Sequence, residues 1–331
     1  MEKQKHLFVS CLLVIALACV GIMNIKYDRL SRYPYQDEES RKIIDEYLSD
    51  EEIEYIIEYS IAPNVFISFI DVEGFNIYHA SEYKHLSNLL WQEKPENIVG
   101  MVEATRNYIS VDQLYNLLNN YKYNEIIYFY EFKDMYNPQS ILVENAKSVD
   151  AYLDDTYTVG IRVPTNLETI DQEKINTSQD IQLETSCAQS LYQMCVAMEA
   201  SEEFAGTKCG GMEVKQGYVS YDQQKALYDE MQKNNPDISG ILNYPGHDEH
   251  QLGLAVDLSV EGLDQTSFYK TSQYQWLLDN AYKYGFVQTY TDQSFPDTQK
   301  SAKPYHFRYV GVAMATHMHD NNLTLKQALG K

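Results

Sequence analysis

At 331 residues, 44% of them hydrophobic, the chain has room for two domains of ordinary size with real cores, which excludes a disordered protein. Its formal net charge of −22 repels nucleic acid and anionic lipid surfaces, which argues against a polyanion-binding role. The 29 tyrosines are scattered rather than periodic, so they read as packing residues first and sugar-stacking residues second.

Leu7 to Met23 is apolar apart from Ser10 and Gly21 and follows Lys3 and Lys5. It sits at the short end for a membrane span. Ala16 and Ala18 make an A-x-A-like cleavage site, but the apolar run continues through Val20, Ile22 and Met23. An uncleaved signal-anchor is therefore favoured over a cleaved signal peptide, with residues 1–32 as a cytoplasmic tail and anchor. Ala16, Leu17 and Ala18 before Cys19 do not form a lipobox. Lys26, Arg29 and Arg32 outnumber the two preceding lysines, so a bare positive-inside count would leave the bulk of the chain in the cytoplasm.

Residues 33–178 read as mainly helical. Ser49 with Glu52 suits a capping box, and Ile53, Ile56 and Ile57 share one face of the helix that follows. Ser110, Leu114, Leu117 and Leu118 echo that pattern, and each helix precedes an apolar aromatic run, Asn64 to Phe69 and Asn124 to Phe129. The pattern is either a weak two-fold repeat or two ordinary helices. No catalytic constellation appears here, since His79 and His85 do not fall at ligand spacing. The region reads as an extracellular spacer or interaction module, and the sequence names no protein partner for it. Thr156 to Pro164 alternates like a strand, and a polar linker is expected from Thr165 through Ser178.

Residues 179–331 mix helices and short strands, as in an α+β domain. Leu183 to Ala200 is helical, with Leu191, Met194, Cys195 and Met198 on one stripe. A second helix is expected from Asp222 to Lys233 and ends at Asn234, Asn235 and Pro236. With Cys11 and Cys19 in the apolar segment, Cys187, Cys195 and Cys209 remain. They leave open either a Cys195–Cys209 disulfide with one thiol over or a set of buried free thiols.

Two stretches carry the chemistry: PGHDEHQLGLAVDL, Pro245 to Leu258, and KPYHFRYVG, Lys303 to Gly311. His250 and Asp257 are too far apart for one helical face. Gly253 followed by Leu254, Val256 and Leu258 argues for a loop running into a strand, and His306 lies in another strand-like run. Two imidazoles and a carboxylate, with a fourth position left to water, form the ligand set of a catalytic Zn2+ site. The alternative is a buried turn whose polar side chains satisfy one another.

The pattern resembles the VanY-type D-alanyl-D-alanine carboxypeptidases, zinc metallopeptidases of bacterial cell walls. Their S-E-H-x-x-G-x-A-x-D is matched by Glu249, His250, Gly253, Ala255 and Asp257, and their E-P-W-H-x-R-Y-V-G by Pro304, His306 and Arg308 to Gly311. Gln275 to Phe286 looks like the helix between those motifs. Gly217 to Tyr228 resembles S-G-Y-R-S-Y-x-x-Q-x-x-L-Y. The resemblance implies a short antiparallel sheet with flanking helices and Zn2+ held by His250, Asp257 and His306. It also implies peptidoglycan stem peptides as the partner, and hence a single-pass membrane protein with its main part outside the cell. Val219, Ser220, Gln224, Asp248, Tyr305 and Arg308 would face substrate.

Departures fall on the chemistry. The family's catalytic glutamate is Lys303 here, and a protonated lysine accepts no proton. Its arginine is Val219, the serine before that motif is Gln216, the serine of S-E-H is Asp248, and its tryptophan is Tyr305. A carboxypeptidase of impaired activity and a pseudoenzyme that binds cell-wall peptide as a sensor or scaffold are the two readings.

Overall fold

The computed structural model describes residues 13–15, 28–132, 136–177, 179–235, 238 and 240–331. Apart from Leu13–Ile15, the Leu7–Met23 run lies outside the described residues. Among the described residues no helix is long and apolar enough to cross a membrane. Packing divides the chain into two compact units, Met1–Glu103 and Ala104–Lys331.

The first unit is helical. Helices Glu38–Tyr47 and Asp50–Glu58 bury Ile44, Ile53 and Ile56 together with Leu30, Phe66 and Ile77. Ser49 caps the second helix, accepting from the Glu52 backbone N–H while the Glu52 carboxylate returns a bond to Ser49 N at 2.8 Å. Ser110 and Gln113 build the same reciprocal cap on Val111–Leu118. The echo between the two stretches is therefore real as a local device, and the second copy lies in the other unit.

In the second unit, Ile141–Leu142 (β1) pairs in parallel with Tyr157–Thr158 (β2), Leu167–Thr169 is β3 and Gln182–Glu184 is β4, and Met212–Gln216 (β5), Ala255–Val260 (β6), Phe286–Val287 (β7) and His306–Tyr309 (β8) form one antiparallel sheet in the order β5-β6-β8-β7. Strand β6 is buried along nearly all its length, which accounts for its mixture of aliphatic residues with Asp257 and Ser259. Thr185–Glu199, Tyr221–Asn234, Ser272–Asn280 and Val312–Asn321 are helices of the same unit. Leu191, Met194, Cys195 and Met198 are all buried, as their spacing implied. Cys195 and Cys209 form a disulfide, and Cys187 is a buried free thiol. Closing a loop of 14 residues in this way is worth about 3 kcal/mol.

Two expectations are corrected. Residues 165–178 are not a simple linker: Leu167–Thr169 (β3) pairs antiparallel with Gln182–Glu184 (β4), and Asn176 bridges to Glu213 on β5. Residues 104–178 are likewise not a separate spacer. Arg308 Nη2 donates to the carbonyls of Val149 and Ala151, both at 3.0 Å, and Gln251 Nε2 donates to those of Gly160 (2.7 Å) and Arg162 (3.1 Å). Thr158 Oγ1 donates to Gly246 O at 2.8 Å. Those acceptors are backbone carbonyls, which any sequence supplies, so the composition of the segment gave no warning.

Candidate metal centre

Sheet register brings two of the three metal-ligand candidates together. Asp257 on β6 stands directly opposite His306 on β8, so their side chains leave the same face of adjacent strands. His250 arrives from a short 3-10 turn, Glu249–Leu252, capped by Asp248 and ended by Gly253 in the left-handed region at φ 71°. A side chain at 253 would also press on Leu167 and the Glu184 backbone, so glycine is required twice over.

His250 Nε2 lies 3.2 Å from Asp257 Oδ1, and His306 Nδ1 lies 2.9 Å from the same oxygen. One ligand atom from each of the three residues falls within 4.8 Å of the others, and all three residues are buried. The outward nitrogens fit a metal as well. His250 Nδ1 sits 2.7 Å from the Gly217 carbonyl, which only accepts, so the proton is there and Nε2 keeps its lone pair. His306 Nε2 sits 2.9 Å from Glu249 Oε2 and donates to it in the same way. Imidazoles held from behind by a carbonyl and a carboxylate are the usual surroundings of metal-ligating histidines. The donor set and its buried surroundings fit Zn2+, which when bound would polarise a carbonyl and acidify a water.

Without the ion the cluster stores protons. Burial alone would lower the pKa of His306, but its bonds to Asp257 and Glu249 outweigh that and push it up to about 9. Burial favours neutral Asp257, yet the two rings hold its carboxyl well below the usual range. A raised histidine stabilises the metal-free fold fully below its ordinary pKa of 6.5 and ceases to do so as pH rises through about 9. Metal uptake must displace the proton on Nδ1. Zinc affinity is therefore expected to rise about tenfold per pH unit between about 7 and 9 from this group alone. Chelator competition across that range checks it, and an affinity independent of pH would contradict it.

The other sequence-chosen residues divide. Val219, Ser220, Lys303 and Tyr305 are half-buried; Val219 N donates to the His250 carbonyl and His306 N to the Lys303 carbonyl. Ser220 also caps the helix Tyr221–Asn234. Gln224 is buried and donates to the Asn243 carbonyl at 2.8 Å. Asp248 is buried too, accepting from His250 N (2.8 Å) and Asn243 Nδ2 (2.9 Å). Arg308 is fully buried against the Val149 and Ala151 carbonyls. Gln224, Asp248 and Arg308 thus hold the loop rather than face a cleft.

Sequence reading did not assign Glu249, Asn243 or Tyr290 a role. Glu249 is next to a ligand in sequence, yet its bond to His306 spans 57 residues and no periodicity signals it. Asn243 Nδ2 donates to Tyr290 Oη at 2.9 Å as well as to Asp248.

Residues 180–312 match the family model described as VanY, D-alanyl-D-alanine carboxypeptidase. The putative carboxypeptidase YodJ of Bacillus subtilis (strain 168) is 39% identical over 120 residues, 35% of this chain and 44% of that protein. A D-alanyl-D-alanine carboxypeptidase of Enterococcus faecalis (strain ATCC 700802 / V583) is 28% identical over 171 residues, 48% of this chain and 63% of that protein. The chain thus spans about half the length of these curated relatives. A solved structure of the LdcB LD-carboxypeptidase superposes with a TM-score of 0.52 at 29% identity, covering 58% of this chain and 90% of that one. Residues 180–312 thus match the VanY D-alanyl-D-alanine carboxypeptidase family in sequence, and the LdcB structure is similar in fold.

Proposed function

We propose that this is a membrane-anchored cell-surface protein whose zinc D,D-carboxypeptidase-like domain binds the C-terminal ends of peptidoglycan stem peptides and hydrolyses them slowly. The substrate class comes from the family, and the convergence of His250, Asp257 and His306 supports a working zinc site. Slow turnover rests on one observation: Lys303 stands at the family's glutamate position, and the remaining carboxylates of the loop are committed elsewhere. Asp248 accepts two hydrogen bonds, and Glu249 is buried on the nitrogen of His306 that faces away from Asp257. Neither is placed to take a proton from a water on the metal. The pseudoenzyme reading draws on the same residues and differs only in rate.

Export is supported by the Cys195–Cys209 disulfide, which suits an oxidising exterior, and by the Leu7–Met23 run as a signal-anchor. Residues 33–103 would then lie between anchor and catalytic unit.

The test is mass spectrometry of stem pentapeptide and tetrapeptide incubated with the zinc-loaded chain, beside a His250→Ala control. Slow loss of one D-alanine from the pentapeptide, absent in the control, is the expected result. Release from the tetrapeptide instead would mean L,D specificity. No product at any time, with zinc confirmed bound, would leave the pseudoenzyme.

A further inference from the structure

We propose that Lys303 is the cation that receives the terminal carboxylate of the bound peptide, taking over a task for which the family's arginine position offers only Val219; this rests on the stem-peptide reading above.

A peptide ending in a free carboxylate brings a negative charge to a ligand cluster that contains Asp257, with the Glu249 carboxylate behind His306, on a chain of net charge −22. Something positive must meet it. The metal faces the scissile carbonyl in such a reaction, so the terminal carboxylate needs a separate cation. Arg308 does not qualify, since its guanidinium is fully buried among the Val149 and Ala151 carbonyls. Lys300 is buried and paired with Asp155 at 3.1 Å.

Lys303 is half-buried, and its charge helps to keep the buried Asp248 carboxyl ionised without a close ion pair between them among the described residues. The ammonium instead lies 4.7 Å from the centre of the Tyr290 ring. That ring packs against the His306 imidazole, with centroids 4.9 Å apart. Tyr290 is itself fixed by the Asn243 amide, and the Lys303 backbone donates to the Tyr290 carbonyl at 3.0 Å. A ring face holds a cation without neutralising it, so the ammonium keeps its three donors for an incoming anion. The strand geometry that places His306 among the ligand candidates therefore also sets a positive charge one aromatic ring away, with Asp248 as its electrostatic neighbour. The substitution that removes a base supplies an anchor.

The test measures binding of D-alanyl-D-alanine and of its C-terminal amide to the zinc-loaded full chain by calorimetry, for wild type, Lys303→Met and Lys303→Arg. Zinc stoichiometry and melting temperature are recorded for each variant. Wild type is expected to prefer the free acid by at least about tenfold, the loss expected for one charge-assisted hydrogen bond. Lys303→Met should erase that preference by weakening acid binding alone, and Lys303→Arg should keep most of it. Equal binding of acid and amide by wild type, or a preference that survives in Lys303→Met, overturns the assignment while leaving the stem-peptide reading intact. Binding of neither compound by zinc-loaded wild type overturns both.

Discussion

Lys303→Glu combined with Val219→Arg is expected to raise D-alanine release from a stem pentapeptide by at least about 10²-fold over wild type. A positioned general base contributes about 10² to 10⁴ in rate, and an arginine at 219 restores a cation for the terminal carboxylate once Lys303 is gone. The two gains overlap because they serve one transition state, so the lower bound is the safer figure. Lys303 precedes His306 by three residues, and its backbone carbonyl accepts from His306 N at 3.1 Å. A glutamate there would be carried on the same turn that positions the ligand. Val219 is half-buried, and its N–H donates to the His250 carbonyl at 3.3 Å, so an arginine there would start from backbone bonded to a ligand residue. Single-turnover assays with pentapeptide provide the measurement. A double variant no faster than wild type, with zinc bound, would mean that the native chain already draws its base from elsewhere. Lys303→Glu alone should gain less, because it removes the cation while adding the base.

Removing the carboxylate behind His306 should cost zinc rather than fold. Glu249→Ala is expected to weaken Zn2+ binding by about 10- to 100-fold, the range typical of losing the partner that orients a metal-bound histidine. Without Glu249 Oε2 at 2.9 Å, nothing favours the proton on Nε2, and a proton moved to Nδ1 occupies the position the metal requires. Glu249→Gln keeps an oxygen that can accept, so its loss should be several-fold smaller. Chelator competition on both variants decides the matter. An unchanged affinity in Glu249→Ala would show that Asp257 alone orients the ring. The buried Arg308 guanidinium contributes to holding Glu249 ionised, after the bond from His306, so a modest loss of thermal stability in Glu249→Ala is also expected.

Residue type and spacing made the candidate metal centre legible as one of two readings, and the resemblance to the VanY-type carboxypeptidases decided between them. His250 and Asp257 needed a turn, a glycine and a strand between them, and the alternation of Leu254, Val256 and Leu258 displayed the strand. The helix stripe through Leu191 and Met198 was equally plain, since burial at helical period leaves a repeating mark. What stayed hidden depends on encounters between distant segments. Hairpin β3–β4 has a single aliphatic residue on its first strand, Leu167, and reads as loop until its partner is seen. Arg308 was assigned to substrate on the family resemblance; nothing in the sequence disclosed the carbonyls 157 and 159 residues away that take its Nη2 protons. Glu249, Asn243 and Tyr290 escaped for the same reason.

The weaving of residues 104–178 into the second unit also sets what can be exchanged as a piece. The recognised family segment begins at residue 180, and a graft cut there would strip Arg308 and Gln251 of their acceptors and leave β4 without β3. A portable module begins near residue 104, where the packing divides. Wherever this segment is joined to a new neighbour, the junction should therefore fall well upstream of residue 180, because a break closer in severs the hydrogen bonds that hold the His250 loop.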